Sequence, residues 1–216
     1  MVRTDAAERM DRMYRYQRYI YDATRRHYLL GRSTLINGLI PPDDGAVLEI
    51  GCGTGWNLVR AANTYPAATF HGFDVSTTML VQARSSIHRS GHSGRIMIAQ
   101  ADATAFSGQH TFGRDSYDRI YASYTLSMIP DWVKVVECAL DHLAPSGAFH
   151  VVDFGTAGDM PAFARVGLQA WLSQFDVVPR TSLRRELSRL AASRQLELFH
   201  TELYRGYAQY AVLTRR

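Results

Sequence analysis

The chain has 216 residues, a formal net charge of +4 and 46 % hydrophobic residues, which suits one α/β unit with a substantial core. No apolar run reaches the roughly 18 residues of a membrane span, and arginines occupy the N-terminus where a secretory signal would be apolar. The two cysteines, Cys52 and Cys138, provide neither a disulfide framework nor a metal set. We therefore expect a cytoplasmic protein.

The charges are unevenly distributed along the chain. Residues 1–40 hold eight Arg and four acids, residues 41–179 hold eight basic and thirteen acidic residues, and residues 180–216 hold eight Arg and three Glu. Two basic arms therefore flank an acidic centre, and such a field can orient a protein at an anionic surface. The alternative is that both arms are simply solvated.

The first predicted element is a helix over Met10–Leu30, part of an N-terminal helical lid that we assign to residues 1–40. Tyr14, Tyr21 and Tyr28 are seven residues apart and therefore share one stripe of this helix. Arginines flank the stripe, so aromatic faces that attract a methylammonium group lie beside side chains that bind carboxylate or phosphate. The lid would then cover a ligand pocket. Alternatively, the tyrosine stripe only packs on the edge of the sheet.

Residues 41–216 form the second predicted unit, in which apolar runs alternate with helical patterns. Helices are predicted over Thr54–Asn63, from the N-cap Ser76 to Ile87, and over Trp132–Leu143. The alternation predicts a doubly wound, mainly parallel sheet that binds ligands at the carboxyl ends of its strands. Its first five strands are predicted over Ala46–Ile50, Thr69–Phe73, Ile96–Ala101, Asp118–Ser123 and Ala148–Phe154.

The last part of the chain changes character. Helices are predicted over Pro161–Phe175, with Trp171 on its apolar face, and over Ser182–Ala192. Leu196–Tyr204 and Tyr207–Thr214 alternate apolar and polar residues around a turn, which predicts an antiparallel hairpin that closes a seven-stranded sheet.

A glycine-rich turn follows the first predicted strand, in the order Glu49-Ile50-Gly51-Cys52-Gly53-Thr54-Gly55. A dinucleotide fingerprint needs glycine at its first, third and sixth positions, and here Trp56 occupies the sixth. The Glu-x-Gly-x-Gly-x-Gly form instead resembles motif I of class I S-adenosylmethionine (SAM) methyltransferases, in which the glycine turn surrounds the methionine tail and ribose. The resemblance implies SAM as the cofactor and a Rossmann-like fold.

The other strand ends offer the residue types that this family uses around SAM. The resemblance implies that Glu49 fixes the loop or accepts from the cofactor's amino group, and that Asp74 accepts from both ribose hydroxyls. Asp102 and the amide of Ala103 would meet the adenine, and each acid could alternatively be a capping residue. Val75 and Met79 would pack on sugar and base, and Ser123 would lie near the sulfonium. No metal is expected, since the pair His88 and His92 has no third ligand.

The segment Tyr14–Arg32 resembles the N-terminus of bacterial betaine-lipid N-methyltransferases, which methylate diacylglyceryl-homoserine three times to diacylglyceryl-trimethylhomoserine. This resemblance implies that Tyr28 and Arg32 lie at the cofactor, and that Arg32 holds a carboxylate of the cofactor or of the homoserine. Tyr21, Tyr124 and Asp153 are the candidates for orienting the amine or removing its proton. Asp153 could instead only cap the turn that follows it.

A lipid acceptor further implies peripheral binding at the inner face of an anionic membrane, through the basic arms and the helix of Trp171 and Phe175. The alternatives are a phosphatidylethanolamine N-methyltransferase, a small-molecule or quinone methyltransferase, and a SAM-binding scaffold without turnover. Methylation of nucleic-acid bases is disfavoured, because Ser123-Tyr124-Thr125-Leu126 replaces the Asp/Asn-Pro-Pro-aromatic signature after the fourth strand.

Overall fold

Seven strands form one sheet in the order β3-β2-β1-β4-β5-β7-β6 in the computed structural model, which describes residues 29–175 and 177–215. A 3₁₀ helix, Leu126–Met128, follows β4. The strands are β1 (Ala46–Ile50), β2 (Thr69–Asp74), β3 (Ile96–Gln100), β4 (Tyr117–Ser123), β5 (Leu143–Phe154), β6 (Leu196–Leu203) and β7 (Ala208–Arg215). The helices are α1 (Arg32–Gly38), α2 (Trp56–Thr64), α3 (Thr77–Arg89), α4 (Gly108–Phe112), α5 (Trp132–Asp141), α6 (Ala162–Ser173) and α7 (Leu183–Arg194).

The first five strands are parallel, and helices cover both faces of the sheet. Every residue of β1 is buried, as expected for a strand with helices above and below it. Val47 packs in one core cluster with Leu58 of α2, whereas Leu48 packs in the other with Val136 of α5. The period-two alternation of the strand thus divides the core into two layers.

The C-terminal hairpin closes the sheet as predicted. β7 pairs antiparallel with both β5 and β6, so β7 is an inner strand and β6 is the edge. Most of β7 is buried, whereas β6 alternates between exposed and half-buried residues, as expected at an edge. The predicted doubly wound sheet with an antiparallel C-terminal hairpin is confirmed.

The structure differs from the sequence-based expectations mainly in short elements. The helix predicted to reach Leu143 ends at Asp141, because β5 begins at Leu143 and pairs there with Tyr117 of β4. The helix α4 and the 3₁₀ helix were not predicted, since five and three residues are too few to show a period. The helix predicted over Met10–Leu30 lies outside the described residues except for Leu29 and Leu30, which are not helical.

The helix α1 packs against α2, and the hydroxyl of Tyr65 donates to the carbonyl of Ile36 at 2.8 Å. A domain boundary after residue 40 stays a prediction. Among the residues that the structure describes, no helix combines the length and the apolar character needed to cross a membrane.

Candidate active site

The glycine turn between β1 and α2 is the centre of the site. Gly51, Gly53 and Gly55 all have left-handed backbone, with φ of 68°, 52° and 76°. A Cβ on Gly51 would lie 2.5 Å from Cγ2 of Thr125, so the close approach of two loops also requires glycine there. The amide of Cys52 donates to the carbonyl of Phe73 at 2.9 Å, which joins the turn to β2. A Cβ on Gly55 would likewise lie 3.2 Å from Cβ of Ala83, so glycines let the turn pack closely against Thr125 and against α3.

Asp74 joins this turn to the start of α3. Its Oδ2 accepts from the amide of Gly53 and its Oδ1 from the amide of Ser76, both at 2.9 Å. Ser76 in turn caps α3 by accepting from the amide of Met79, as predicted. A carboxylate has about four acceptor positions, so Asp74 can hold the turn and still accept from the two hydroxyls of a ribose. The capping and cofactor-binding interpretations of this residue are compatible.

Glu49 is a buried acid directly before the turn. Its Oε1 accepts from Nδ2 of Asn57 at 2.7 Å, and its Oε2 accepts from the hydroxyl of Tyr121 at 3.1 Å. Burial raises the pKa of Glu49 to about 8, although these two hydrogen bonds and the charge of Arg32 act in the opposite direction. A cation beside Glu49 would favour its ionised form, so this site suits the ammonium group of an amino acid.

Arg32 is held beside Glu49 by an aromatic ring. Its guanidinium carbon lies 4.0 Å from the centroid of the Trp56 ring, and that of Arg60 lies 5.4 Å from it. Trp56 occupies the position at which a dinucleotide fingerprint has its third glycine, and two arginines lie over its ring. Since Arg32 is buried and stacked, its guanidinium is oriented before any ligand arrives, which suits the recognition of a carboxylate.

The base-binding side of the predicted site lies at the ends of β2 and β3. Nε2 of Gln100 donates to the carbonyl of Val75 at 3.0 Å, and Met79 is buried against Met128 and Phe175. Asp102 is exposed, and its Oδ1 accepts from the amide and the hydroxyl of Thr104, both at 2.8 Å. Asp102 therefore caps its own turn, next to the half-buried Ala103. The contacts predicted with adenosine stay predictions for all four residues concerned, which are Val75, Met79, Asp102 and Ala103.

Ser123 ends β4 close to the glycine turn, and Tyr124 follows it. Ser123 Oγ is buried and has no hydrogen-bond partner among the described residues. Tyr124 has a left-handed backbone (φ 56°), and its buried hydroxyl donates to the carbonyl of Leu30. Burial raises the pKa of the Tyr124 phenol well above its usual value, so this residue is neutral at physiological pH. Its contacts connect the segment that precedes Gly31 to the site.

Asp153 supports the loop after β4. Its Oδ2 accepts from the amide of Ser127 at 3.0 Å, and its Oδ1 from the amide of Phe154 at 2.8 Å. Burial raises the pKa of Asp153 to about 6, against the effect of these bonds and of the nearby Arg180. These contacts support the 3₁₀ helix after β4 and do not reach the turn that follows Asp153, and a role in proton removal stays a prediction.

The structure therefore assembles Arg32, Glu49, the three glycines, Asp74 and Ser123 around one turn, while Asp102 and Asp153 serve neighbouring loops. Tyr21 and Tyr28 lie outside the described residues. Asn57 and Tyr121 were not predicted: neither the spacing nor the residue type indicates that both side chains reach Glu49. In the described part of the chain, no group of three or more His, Cys, Asp or Glu could hold a metal ion.

A turn of left-handed glycines, an acid at the end of β2 and this strand order define the Rossmann-like fold of class I SAM-dependent methyltransferases. Residues 47–147 match the sequence family described as a methyltransferase domain. SAM is the cofactor of this class, and the residues at the turn fit it: Asp74 offers carboxylate acceptors for a ribose beside Gly53, and the buried Ser123 Oγ has no hydrogen-bond partner among the described residues.

The chain is similar to the trans-aconitate 2-methyltransferase of Deinococcus radiodurans, with 30 % identity over 54 % of this chain and 41 % of that protein. It therefore spans less than half the length of this curated relative. Its fold is similar to a putative methyltransferase of Haloferax volcanii bound to the Trm112 activator, with a TM-score of 0.74 and 13 % identity over 94 % of this chain and 96 % of that one.

A second structural neighbour is phosphoethanolamine N-methyltransferase 2 of Haemonchus contortus, solved in complex with SAM. Its TM-score is 0.64, with 21 % identity over 80 % of this chain and 38 % of that one. At these identities, the two solved structures show a shared fold.

Proposed function

We propose that this protein transfers methyl groups from SAM to the amine of diacylglyceryl-homoserine, in three steps, forming diacylglyceryl-trimethylhomoserine. The observation that carries the acceptor is the position of Leu30 and Arg32. The carbonyl of Leu30 accepts from Tyr124 at the end of β4, and Arg32 stacks on Trp56 beside the glycine turn. The described end of the segment that resembles betaine-lipid enzymes therefore adjoins the proposed cofactor site.

The described residues support the cofactor half of this proposal. SAM, when bound, supplies an electrophilic methyl group. The glycine turn would hold its methionine and ribose, with Glu49 facing a cationic group and Asp74 facing hydroxyls. Ser123 Oγ, buried and without a partner among the described residues, offers a donor and acceptor next to the turn.

The acceptor half rests on charge and positioning. A neutral amine attacks the methyl carbon while the C–S bond breaks, so the nitrogen gains the positive charge that the sulfur loses. The protein must orient the amine and exclude water, and positioning of this kind can supply a large part of a rate enhancement. Arg32 would bind the homoserine or methionine carboxylate, and aromatic faces would stabilise the methylated ammonium product.

A second candidate function is methylation of a small carboxylic acid. It is favoured by the similarity to trans-aconitate 2-methyltransferases, and the pair of arginines on Trp56 suits a polyanionic acid. Phosphatidylethanolamine and quinones are further acceptors that the same fold could serve.

The test is to incubate the purified chain with SAM and each acceptor in separate detergent micelles or buffer, and to identify products by mass spectrometry. We expect mono-, di- and trimethylated diacylglyceryl-homoserine. Methylation of trans-aconitate or phosphatidylethanolamine with none of diacylglyceryl-homoserine would refute the proposed acceptor. SAM binding without transfer to any acceptor would favour a scaffold.

A further inference from the structure

The loop that follows β4, residues 124–129, lies against the proposed cofactor site, and we call it the β4 loop. A Cβ on Gly51 would lie 2.5 Å from Cγ2 of Thr125, so the β4 loop and the glycine turn are in close contact. Met128, at the end of the 3₁₀ helix in this loop, packs against Met79 of α3, one of the predicted cofactor-binding residues. The position of the β4 loop therefore sets the shape of the site on this side.

An arginine from a distant part of the chain binds the β4 loop. Nε of Arg180, in the segment that joins α6 to α7, donates to the carbonyl of Leu126 at 2.9 Å. Its Nη2 donates to the carbonyl of Ile129 at 2.8 Å and to that of Ser127 at 3.4 Å. The amide of Val178 donates to the same carbonyl of Ser127 at 3.1 Å. A 3₁₀ helix of three residues makes few bonds of its own, so bonds from outside determine where it lies.

The carboxylate of Asp153 binds the same loop from the sheet. Its Oδ2 accepts from the amide of Ser127 at 3.0 Å, so an acid and an arginine bind the two ends of one residue. Gln209 of β7 connects the two: its Nε2 donates to the carbonyl of Arg180 at 3.1 Å and to that of Phe154 at 2.8 Å. Asp153 and Gln209 are both buried, so the network is largely shielded from water.

The charge of Arg180 affects the ionisation of Asp153. Burial raises the pKa of Asp153 to about 6, and Arg180 acts in the opposite direction. The other titratable groups near this carboxyl in the described part of the chain are the phenol of Tyr124 and His200, which reaches it only through Gln209. Arg180 therefore helps to keep the carboxylate ionised at neutral pH, and an ionised carboxylate is the stronger acceptor for a backbone amide.

We propose that Arg180 is a positioning residue for methyl transfer, which acts with Asp153 to hold the β4 loop against the glycine turn. In this role neither side chain touches the reactants, and both act through the backbone of Ser127. The inference rests on the proposed transfer from SAM, and on no particular acceptor. It links the segment between α6 and α7 to the affinity of the protein for its cofactor.

The test measures the affinity for SAM by calorimetry between about pH 5 and pH 7.5, with the full-length wild type, Arg180→Gln, Arg180→Lys and Asp153→Asn. Arg184→Gln is the matched control, because Arg184 is exposed on α7 and loses the same charge. We expect the wild-type affinity to fall as the pH drops through about 6, where Asp153 becomes protonated. Asp153→Asn should lack this fall, and the control should show it unchanged.

The glutamine variant of Arg180 should bind SAM about tenfold more weakly at neutral pH, since charged hydrogen bonds to the loop are lost. Its fall in affinity should begin at higher pH than in the wild type, because the pKa of Asp153 rises without the neighbouring charge. Arg180→Lys should restore the wild-type pH profile and only part of the affinity, because an ammonium group lacks the fork that reaches two carbonyls.

A wild-type affinity and pH profile in Arg180→Gln would overturn the proposal. So would a loss that is equal at every pH and is not reduced in Arg180→Lys, because Arg180 would then only support the fold. Circular dichroism establishes which variants are folded. If Arg180→Gln is not, a wild-type pH profile in Asp153→Asn overturns the proposal by itself. Absence of SAM binding by the wild type would instead refute the proposed function.

Discussion

Replacing Gly51 by alanine is expected to destabilise the fold through two separate effects. The left-handed backbone at φ 68° costs an L-residue about 1–2 kcal/mol. The new Cβ would also lie 2.5 Å from Cγ2 and 2.8 Å from Oγ1 of Thr125, and this overpacking adds about 1–3 kcal/mol. Thr125 cannot simply rotate away, because its hydroxyl donates to the carbonyl of Ile50 at 3.1 Å.

Gly113 provides the matched control. Its φ is 67°, and a Cβ there would meet nothing within 4 Å, so Gly113→Ala reports the backbone cost alone. Urea unfolding monitored by circular dichroism gives both free energies of unfolding. We expect Gly51→Ala to be less stable than Gly113→Ala by about 1–3 kcal/mol, and Thr125→Ser, which removes Cγ2, to restore part of this difference in the double variant.

The same variants are titrated with SAM by calorimetry, and Gly51→Ala is expected to weaken SAM binding while Gly113→Ala does not. Equal unfolding free energies for the two alanine variants would show that Thr125 yields without cost. The close approach of the two loops would then not be the reason for glycine at position 51.

Three further predictions concern acids and the phenol around the turn. The pKa of Glu49 is raised to about 8 in the folded state, so its contribution to the free energy of unfolding is fully present below the ordinary glutamate pKa of 4.5 and is lost as the pH rises through 8. Glu49→Gln should remove this pH dependence, which amounts to up to about 5 kcal/mol. Asp74→Asn should weaken SAM binding by about 100-fold in calorimetry, because its carboxylate accepts hydrogen bonds from two backbone amides and is proposed to accept from the ribose. Asp102→Asn should have a smaller effect. Tyr124→Phe should lower stability by about 1 kcal/mol through loss of the bond to Leu30, and should leave the pH–rate profile unchanged.

Each of these predictions has an outcome that contradicts it. A Glu49→Gln protein whose unfolding free energy falls with pH as the wild type does would place the titration on another group. Equal losses in SAM affinity for the asparagine variants of Asp74 and Asp102 would remove the distinction between them. A fall in kcat of about 10²-fold or more for Tyr124→Phe, with a displaced pH optimum, would make this phenol an acid–base group rather than an anchor.

The sequence alone determined the sheet and the positions of the site residues on it. Ala46–Ile50 is predicted and found with the same bounds, because a strand buried on both faces is a mostly apolar run, here interrupted by Glu49, that ends where the glycines begin. Ser76 is predicted and found as the N-cap of α3, since capping is a local interaction. Acids at strand ends meet at one edge whenever the strands are parallel, so Glu49 and Asp74 converge on the turn.

Only the tertiary structure shows which face of each helix packs against the core and which distant residues are in contact. Periodicity predicts that α6 has an apolar face, but only the structure shows that Trp171 packs against the core while Phe163 is exposed. The contact of Tyr124 with Leu30 spans 94 positions in the chain, and the stacking of Arg32 on Trp56 joins two helices. Such pairings depend on how the elements pack in three dimensions, and a local sequence pattern does not show which distant residues meet.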